Sequence, residues 1–283
     1  MPELFVNPKL PNYFVEAAEV ASGRIEKSYV PEYESGKVIT FPNLKIDIDF
    51  DFWANLDRES NRNLKKFRSS VANFDMHDVD DHLQRMIEAG VNDTTAEKLI
   101  DNMRSIYQQI IPTYLSIFSG YEFTKRKTVW RLATVMNENM HIDAYKGESE
   151  DYPARMFINL DNQPRIWQTS WPVDDICAMN AGKIDPRKLE NMTRGDVWAQ
   201  LNHVTFGKGT AEWWDSQPRH VSYFDPGDIW IVDSRQISHQ IFYGRRALSI
   251  DFAIPGRSML EPARHYLNLA EQFRTKNASL QEA

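Results

Sequence analysis

The segment His141-Ile142-Asp143 carries two metal-ligating side chains, two positions apart. It follows residues 128–136, which are predicted to form a strand, and in an extended segment residues i and i+2 point to the same side. A neutral imidazole nitrogen and a carboxylate oxygen can therefore bind one metal ion together. The alternative interpretation is a surface turn without a metal, because such a tripeptide also arises by chance.

A third ligand must come from elsewhere in the chain, and His239 is the candidate. It follows the hydrophobic segment 228–232 and begins another predicted strand. Two histidines and one carboxylate on one face of a metal leave three positions open, which suits a non-haem Fe(II) that holds a cosubstrate and O₂. In the alternative interpretation His239 packs in the sheet and binds nothing.

Four segments of the chain follow one another in a characteristic order: His141-Ile142-Asp143-Ala144-Tyr145, Arg155-Met156-Phe157-Ile158-Asn159, Pro164-Arg165-Ile166-Trp167 and Pro226-Gly227-Asp228-Ile229-Trp230-Ile231-Val232. The order His-x-Asp, distal His and arginine is similar to that of the Fe(II)/2-oxoglutarate-dependent dioxygenases. The four segments resemble, more narrowly, the Kdo (3-deoxy-D-manno-oct-2-ulosonic acid) hydroxylase family. This resemblance extends from about Val129 to Pro255.

The resemblance implies a double-stranded β-helix core of the jelly-roll or cupin type, with Fe(II) as metal and 2-oxoglutarate and O₂ as cosubstrates. It implies that His141, Asp143 and His239 hold the iron at the catalytic centre. It also implies that a basic residue after the distal histidine anchors the far carboxylate of 2-oxoglutarate, which arginine does with two parallel hydrogen bonds. Strand parity allows only one of Arg245 and Arg246 to point inward, and we expect Arg246.

The candidate substrate-binding residues are Arg155, Arg165, Tyr145 and Trp167. Arg155 lies on a predicted strand, and Arg165 and Trp167 share one face of the next strand. An inward-pointing arginine suits a carboxylate or phosphate of the substrate, and Tyr145 is placed to close over the iron. Alternatively, the arginines pair with acidic side chains or cover the rim of the barrel, and Tyr145 packs against its neighbours.

The strand-rich half of the chain must position these side chains. Short segments rich in Val, Ile, Trp and Phe, separated by turn residues, predict strands at 128–136, 155–160, 164–169, 221–224, 228–232, 239–243 and 246–254. A polar insertion at 173–217 is expected to be partly helical. Its tryptophans, Trp198, Trp213 and Trp214, form either a lid or the core of the insertion.

Helical patterns flank the strands. Apolar residues at helical spacing predict a long helix from about Ala96 to Gly120, and shorter helices are predicted at 60–67 and 261–273. We therefore expect an α+β fold in one oxygenase domain. It would comprise N-terminal strands and helical support (1–127), a β-helix core with the insertion (128–255), and a C-terminal helical segment (256–283).

Composition excludes several classes of site. Cys177 is the single cysteine, so an intramolecular disulfide and a multi-thiolate zinc site are excluded. The 33 basic and 40 acidic side chains give a net charge of −7, which argues against broad nucleic-acid binding. Neither a signal peptide nor a transmembrane segment is recognisable, so we expect a cytoplasmic protein.

We expect the protein to oxidise a small anionic substrate, such as a Kdo-type sugar acid. The reaction would be hydroxylation or another oxidation of an unactivated C–H bond. One alternative is an oxygenase of amino-acid or natural-product metabolism that hydroxylates, desaturates or cyclises. Two others are a non-redox cupin-type metal protein and a catalytically silent interaction domain. The sequence makes no prediction of oligomeric state.

Overall fold

A computed structural model describes residues 2–21, 25, 27–56, 84, 86–88, 90–132, 138–144, 148–207 and 216–279. In this part of the chain the strands are β1 (Glu3–Phe5), β2 (Phe14–Glu16), β3 (Val38–Thr40), β4 (Thr128–Leu132), β5 (Asp151–Asn159), β6 (Arg165–Pro172), β7 (His220–Phe224), β8 (Ile229–Ile231), β9 (Ile237–Tyr243) and β10 (Arg246–Pro255). The helices are α1 (Val30–Glu34), α2 (Phe50–Ala54), α3 (Asp93–Ile117), α4 (Val173–Asn180), α5 (Pro186–Glu190), α6 (Arg194–Phe206) and α7 (Tyr266–Ser279).

The strands form two sheets. The smaller has the order β1-β7-β6-β9 and the larger the order β2-β3-β8-β5-β10-β4. All pairs are antiparallel except β2 with β3. The predicted α+β class is therefore confirmed, with two sheets as its β component.

The two sheets pack face to face through aromatic side chains. Trp167 of the smaller sheet contacts Phe157 and Trp230 of the larger sheet, with ring centroids 5.1 and 5.4 Å apart. Side chains alternate between the two faces of a strand, so the odd-numbered positions of β5 and β6 turn into the space between the sheets. This aromatic cluster fills part of that space, next to the pocket described below.

Helix α3 covers the outer face of the larger sheet. Asn92 caps it by accepting a hydrogen bond from the Thr95 N–H, as expected for a helix start. Its buried residues belong to the same core cluster as the even-numbered residues of β10, such as Leu248 and Ile250. The even positions of β10 therefore face the helix and its odd positions face the other sheet.

The insertion between β6 and β7 is helical in its described part, where it forms α4, α5 and α6. These helices and α7 share a separate hydrophobic cluster that includes Val197, Trp198, Leu201 and Phe273. Ile142, from the His-x-Asp segment, is buried in the same cluster. The insertion is thus packed directly behind the candidate metal ligands.

Each of the seven predicted strands is present, although the first is described only to Leu132 because residues 133–137 lie outside the described residues. The predicted helix 60–67 also lies outside them. The predicted start of the C-terminal helix is wrong. The chain first makes a short 3₁₀ turn at Pro262–Arg264, and the buried carboxylate of Glu34 accepts the N–H groups of Leu260 and Glu261, so α7 begins at Tyr266.

Candidate metal centre

Backbone pairing brings His141 and His239 together. The two residues form an antiparallel bridge in which each N–H donates to the carbonyl oxygen of the other, at 3.0 and 2.8 Å. The N–H of Asp143 donates to the carbonyl oxygen of Ser234 at 3.0 Å. The His-x-Asp segment is therefore attached to β9 and to the loop before it, which explains how ligands far apart in sequence meet.

The side chains of His141, Asp143 and His239 each offer one ligand atom, and these three atoms lie within 4.8 Å of one another. Oδ1 of Asp143 lies 3.4 Å from Nε2 of His141 and 3.9 Å from Nε2 of His239. Two imidazole nitrogens and one carboxylate oxygen are the donor set of the two-histidine, one-carboxylate sites that suit Fe(II). The three predicted ligands thus converge.

The other nitrogen of each imidazole faces a backbone carbonyl. Nδ1 of His141 lies 2.6 Å from the oxygen of Asn139, and Nδ1 of His239 lies 3.3 Å from the oxygen of Ile237. A carbonyl oxygen only accepts, so both contacts require the tautomer with a proton on Nδ1. Nε2 is then left unprotonated for a metal in both residues, the usual arrangement of ligating histidines.

Charge and burial keep Asp143 ionised and His239 neutral, the forms that bind a metal, but act differently on His141. Burial would raise the pKa of Asp143, but the positive charge of Arg155 and the hydrogen bond with His141 outweigh it, so the pKa lies well below its ordinary value. Burial lowers the pKa of His239 to about 4. For His141 the effect of burial is outweighed by the hydrogen bonds that the protonated ring makes with Asp143 and Asn139, which raise its pKa above the ordinary value.

These pKa shifts predict how metal affinity depends on pH. A protonated histidine cannot bind metal, so protons compete at His141 once the pH falls below its raised pKa, but compete at His239 only near pH 4. Between these two pKa values the affinity for Co(II) should fall about tenfold for each unit by which the pH is lowered. Each Co(II) ion that binds should release one proton, the one on His141. Isothermal titration over this range measures the slope. Release of two protons per ion well above pH 4 would contradict the assignment.

Helix α6 supports the His-x-Asp segment from outside. The indole N–H of Trp198 donates to the carbonyl oxygen of Asp143 at 3.0 Å, and the side-chain oxygen of Asn202 accepts from the N–H of Ile142 at 3.0 Å. Trp198 is buried. Of the two predicted roles, it therefore belongs to the core of the insertion and does not form a lid. The sequence analysis did not identify Asn202, for which only helical spacing from Trp198 offered a signal.

A cavity of about 240 Å³ opens in front of the three candidate ligands. Both sheets contribute to its wall, including Phe157 on β5, Ser249 and Asp251 on β10, and Trp167 and Ile241 on the smaller sheet. Three arginines also line it: Arg131, Arg155 and Arg165. The pocket thus combines a cation-binding group with several positive charges.

Arg165 is a buried arginine in this wall. Its side chain is 1% exposed, and within the described part of the chain its Nε and Nη1 have no hydrogen-bond partner. Burial, together with the charge of Arg131, lowers the pKa of Arg165 to about 9. Buried charges are normally paired, so an unpartnered guanidinium in a pocket indicates a site for an anion.

Gly244 provides the space for this guanidinium. A Cβ atom at Gly244 would lie 2.5 Å from Nη1 of Arg165, far inside van der Waals contact. The glycine before the paired arginines therefore accommodates Arg165 on the neighbouring strand.

The prediction that Arg246 faces the metal is wrong. Arg246 lies on the helix-facing side of β10, where it is buried and donates to the carbonyl oxygens of Trp53, Leu56 and Leu132. Arg245 does not line the pocket either, because its guanidinium forms a bidentate ion pair with Asp161. Nε donates to Oδ2 at 2.6 Å, and Nη2 donates to Oδ1 at 2.5 Å. The inward positions of β10 are those of Ala247, Ser249 and Asp251, so the assumed strand parity was inverted.

The other predicted site residues have different positions. Trp167 lines the pocket and stacks on the ring of His239, with centroids 5.5 Å apart. The guanidinium of Arg155 contacts the carboxylate of Asp143. Tyr145 lies outside the described residues, as do Trp213 and Trp214. Substrate contacts by Arg155, Arg165, Tyr145 and Trp167 stay predictions.

Known proteins with similar sequence or fold were then compared with the chain. The sequence profile of the 3-deoxy-D-manno-oct-2-ulosonic acid (Kdo) hydroxylase family matches residues 16–277. No curated protein matches. Among solved structures, the Kdo hydroxylase KdoO, a non-heme Fe(II) alphaketoglutarate dependent dioxygenase, in complex with alphaketoglutarate and Fe(III), has a TM-score of 0.59 and 18% identity, covering 92% of this chain and 95% of that chain.

The cobalt(II) complex of KdoO gives a TM-score of 0.59 with 17% identity and the same coverage. At such identities the likeness shows a shared fold, whereas the family profile covers most of the chain. The resemblance predicted from the sequence is thereby confirmed. The chain belongs to the Kdo hydroxylase family.

Proposed function

We propose that the chain is an Fe(II)- and 2-oxoglutarate-dependent hydroxylase whose substrate is a Kdo-type sugar acid. The observation that carries the proposal is one pocket lined both by the converging His141, Asp143 and His239 and by Arg165, whose guanidinium has no hydrogen-bond partner among the described residues. A dicarboxylate that chelates a metal at one end and needs a cation at the other fits such a pocket. Family membership and the fold shared with KdoO support the same activity.

The donor set fits the metal. His141 and His239 offer Nε2, and Asp143 offers Oδ1. Within the described residues this is the group of three whose ligand atoms come close enough together, and hard oxygen with imidazole nitrogen suits Fe(II). A metal held by these three atoms would keep further positions for the cosubstrate and O₂.

Arg165 fits the far carboxylate of 2-oxoglutarate. The pocket-facing residues of β6 are Arg165 and Trp167, and Trp167 stacks on His239. Arg165 therefore precedes Trp167 by two residues and lies on the same face of the strand. Trp167 is the residue that supports the metal ligand His239. In this proposal Arg165 takes the role that the sequence analysis assigned to Arg246.

Bound Fe(II) and 2-oxoglutarate supply the activation of O₂ and the oxidation of a C–H bond. The chain's own contribution is orientation and exclusion of water. The Nδ1 contacts fix both imidazoles, Trp167 restrains the ring of His239, and Phe157 and Ile241 make part of the wall apolar. A dry wall also strengthens the ion pair between Arg165 and a carboxylate.

The charges of the pocket suggest how an anionic sugar acid would be recognised. Arg131 and Glu138 line the pocket, and their side chains are 28% and 32% exposed, so they lie nearer to solvent than Arg165. Arg131, whose Nη1 lies 3.9 Å from Oε1 of Glu138, would add positive charge at the position of the substrate carboxylate. Glu138 would accept hydrogen bonds from its hydroxyl groups.

We also propose that the two facing sheets form a double-stranded β-helix and that the chain is one oxygenase domain. The face-to-face packing of the sheets around the pocket and the 92% coverage in the alignment with KdoO support both. Within the described residues no helix is long and apolar enough to cross a membrane. A cytoplasmic location stays a prediction.

The competing functions differ in what they require of the pocket. A non-redox cupin-type metal protein has no use for a buried, unpartnered arginine beside the metal ligands, and a silent interaction domain needs no convergence of ligands. An oxygenase acting on amino acids shares both features. Only the identity of the substrate separates it from the proposed hydroxylase.

A substrate panel tests the proposal. Purified protein with Fe(II) and ascorbate is given 2-oxoglutarate and either a Kdo-containing lipid, free Kdo or a set of amino acids, and succinate is measured. We expect the Kdo compounds to stimulate succinate formation above the substrate-free rate and to gain one oxygen atom, detected by mass spectrometry. Stimulation by amino acids alone would contradict the proposed substrate and favour the alternative oxygenase.

A further inference from the structure

Arg155 is buried beside the candidate metal centre, at an inward position of β5. Its side chain contacts the Oδ2 atom of Asp143 and the hydroxyl oxygen of Ser234. Ser234 in turn donates to the same Oδ2 at 2.6 Å. One carboxylate oxygen of Asp143 is therefore held by two neighbouring donors that are not metal ligands.

The two oxygens of Asp143 have different surroundings. Oδ2 faces Arg155 and Ser234, whereas Oδ1 faces Nε2 of His141 at 3.4 Å and Nε2 of His239 at 3.9 Å. Oδ1 is thus the oxygen placed beside the two imidazole nitrogens, and Oδ2 is the oxygen held by Arg155 and Ser234. A metal bound at this centre would therefore meet one carboxylate oxygen.

Arg155 is itself held in place. Asp251, directly across from it on β10, brings Oδ1 to 3.7 Å from the Arg155 Nε, and the Ser249 hydroxyl donates to that Asp251 oxygen. The backbone N–H of Arg155 donates to the hydroxyl oxygen of Tyr33 at 2.9 Å. The guanidinium thus has carboxylates on two sides, an arrangement that fixes its orientation.

We infer that Arg155 is a positioning residue which, with Ser234, restricts Asp143 to ligation through one oxygen. The inference rests on the proposed function. Ligation through one oxygen leaves three positions on the metal, two for 2-oxoglutarate and one for O₂, whereas ligation through both oxygens would leave only two. Arg155 thereby sets how many positions are open without touching the metal or the substrate.

This role differs from the predicted binding of substrate by Arg155. A substrate anion would have to displace the carboxylate of Asp143 from a buried guanidinium, which would release the ligand that the metal needs. Arg165 and Arg131 offer positive charge to the pocket without that consequence.

The test uses full-length, metal-free protein and Co(II) under argon. Arg155→Lys retains the positive charge but loses the planar fork, so a change in affinity reports geometry rather than charge. We expect the Kd for Co(II) to rise about 10–100-fold, as is typical when a residue that orients a ligand is lost. At saturating Co(II), we also expect an altered visible spectrum and weaker 2-oxoglutarate binding, because Asp143 is free to supply its second oxygen.

Arg245→Lys is the matched control. It makes the same exchange in an arginine whose guanidinium also pairs with a carboxylate, that of Asp161, outside the pocket. Its Kd for Co(II) should stay within about twofold of wild type, as for independent sites. Ser234→Ala is the second variant, for use even if Arg155→Lys fails to fold, and should change the Co(II) spectrum in the same direction.

Three outcomes are decisive. The inference would be overturned if a folded Arg155→Lys protein kept its Kd for Co(II), its Co(II) spectrum and its affinity for 2-oxoglutarate. An unchanged Co(II) spectrum in Ser234→Ala would also overturn it. Unchanged metal binding with a raised KM for substrate would assign Arg155 to substrate instead. Failure of wild-type protein to bind Co(II), or binding that survives His141→Ala, would overturn the proposed function itself.

Discussion

Replacing His239 by alanine is expected to reduce 2-oxoglutarate turnover to the background rate. His239 provides one of three ligand atoms within 4.8 Å of one another, and its pKa of about 4 keeps it neutral at physiological pH. Loss of a residue that merely orients a ligand costs about 10–100-fold in affinity or activity, so loss of a ligand should cost more than about 100-fold. Succinate formation and Co(II) affinity are the two readouts.

His203→Ala is the control for this variant. His203 is an exposed histidine on α6 and is not among the residues that line the pocket. It should retain wild-type turnover and Co(II) affinity. If His239→Ala kept either property in a folded protein, His239 would not be a metal ligand.

Arg165→Met is expected to have the second largest effect, on 2-oxoglutarate alone. Removal of one partner from a buried, hydrogen-bonded charge pair costs about 2–5 kcal/mol, so the KM for 2-oxoglutarate should rise between about 30-fold and a few thousand-fold. The affinity for Co(II) should change little. Steady-state kinetics at saturating Fe(II) and calorimetry with Co(II) separate the two quantities.

The same variant should stabilise the protein in the absence of cosubstrate. In the described part of the chain two nitrogens of Arg165 are buried without a partner, a costly arrangement that methionine removes. The free energy of unfolding should rise by about 1–4 kcal/mol, the range seen when buried charges give way to apolar side chains. Lower affinity for 2-oxoglutarate together with higher stability would mark Arg165 as a residue kept for binding.

Two further variants support the assignment. Gly244→Ala should also raise the KM for 2-oxoglutarate, because its Cβ would displace the Arg165 guanidinium while keeping the charge. Arg246→Met should lower stability by about 1–3 kcal/mol through the loss of its bonds to buried carbonyls, with an unchanged KM. The opposite pattern would restore Arg246 as the anchor.

The ligand triad could be predicted because its signal is local. His141 and Asp143 stand two positions apart in a predicted extended segment, and His239 lies in a strand that its hydrophobic pattern predicted. Arg165, the proposed anchor of 2-oxoglutarate, could not be predicted in the same way. Choosing between Arg245 and Arg246 depends on which face of β10 meets the other sheet, and that is decided by the packing of α3 on the even positions.

The residues that orient the triad were missed for a related reason. Ser234 and Asn202 act through hydrogen bonds to residues distant in sequence, and neither has a spacing that indicates this role. The strands were recognised from composition and turns, but their arrangement in two sheets depends on pairing between distant segments. The strand pattern placed Arg165 on the same face as Trp167 but left open whether that face points inward. The inward position of Arg165, and its lack of a hydrogen-bond partner among the described residues, became evident only from the packed structure.

An anaerobic titration of the wild-type protein with Fe(II) and 2-oxoglutarate tests the central claim most directly. Chelation of Fe(II) by 2-oxoglutarate produces a weak visible charge-transfer band, which reports the metal, its ligands and the cosubstrate at once. The band should grow to saturation at one equivalent of each, and be absent from His239→Ala. No band from folded wild-type protein at saturating concentrations would contradict the assignment of this pocket to Fe(II) and 2-oxoglutarate.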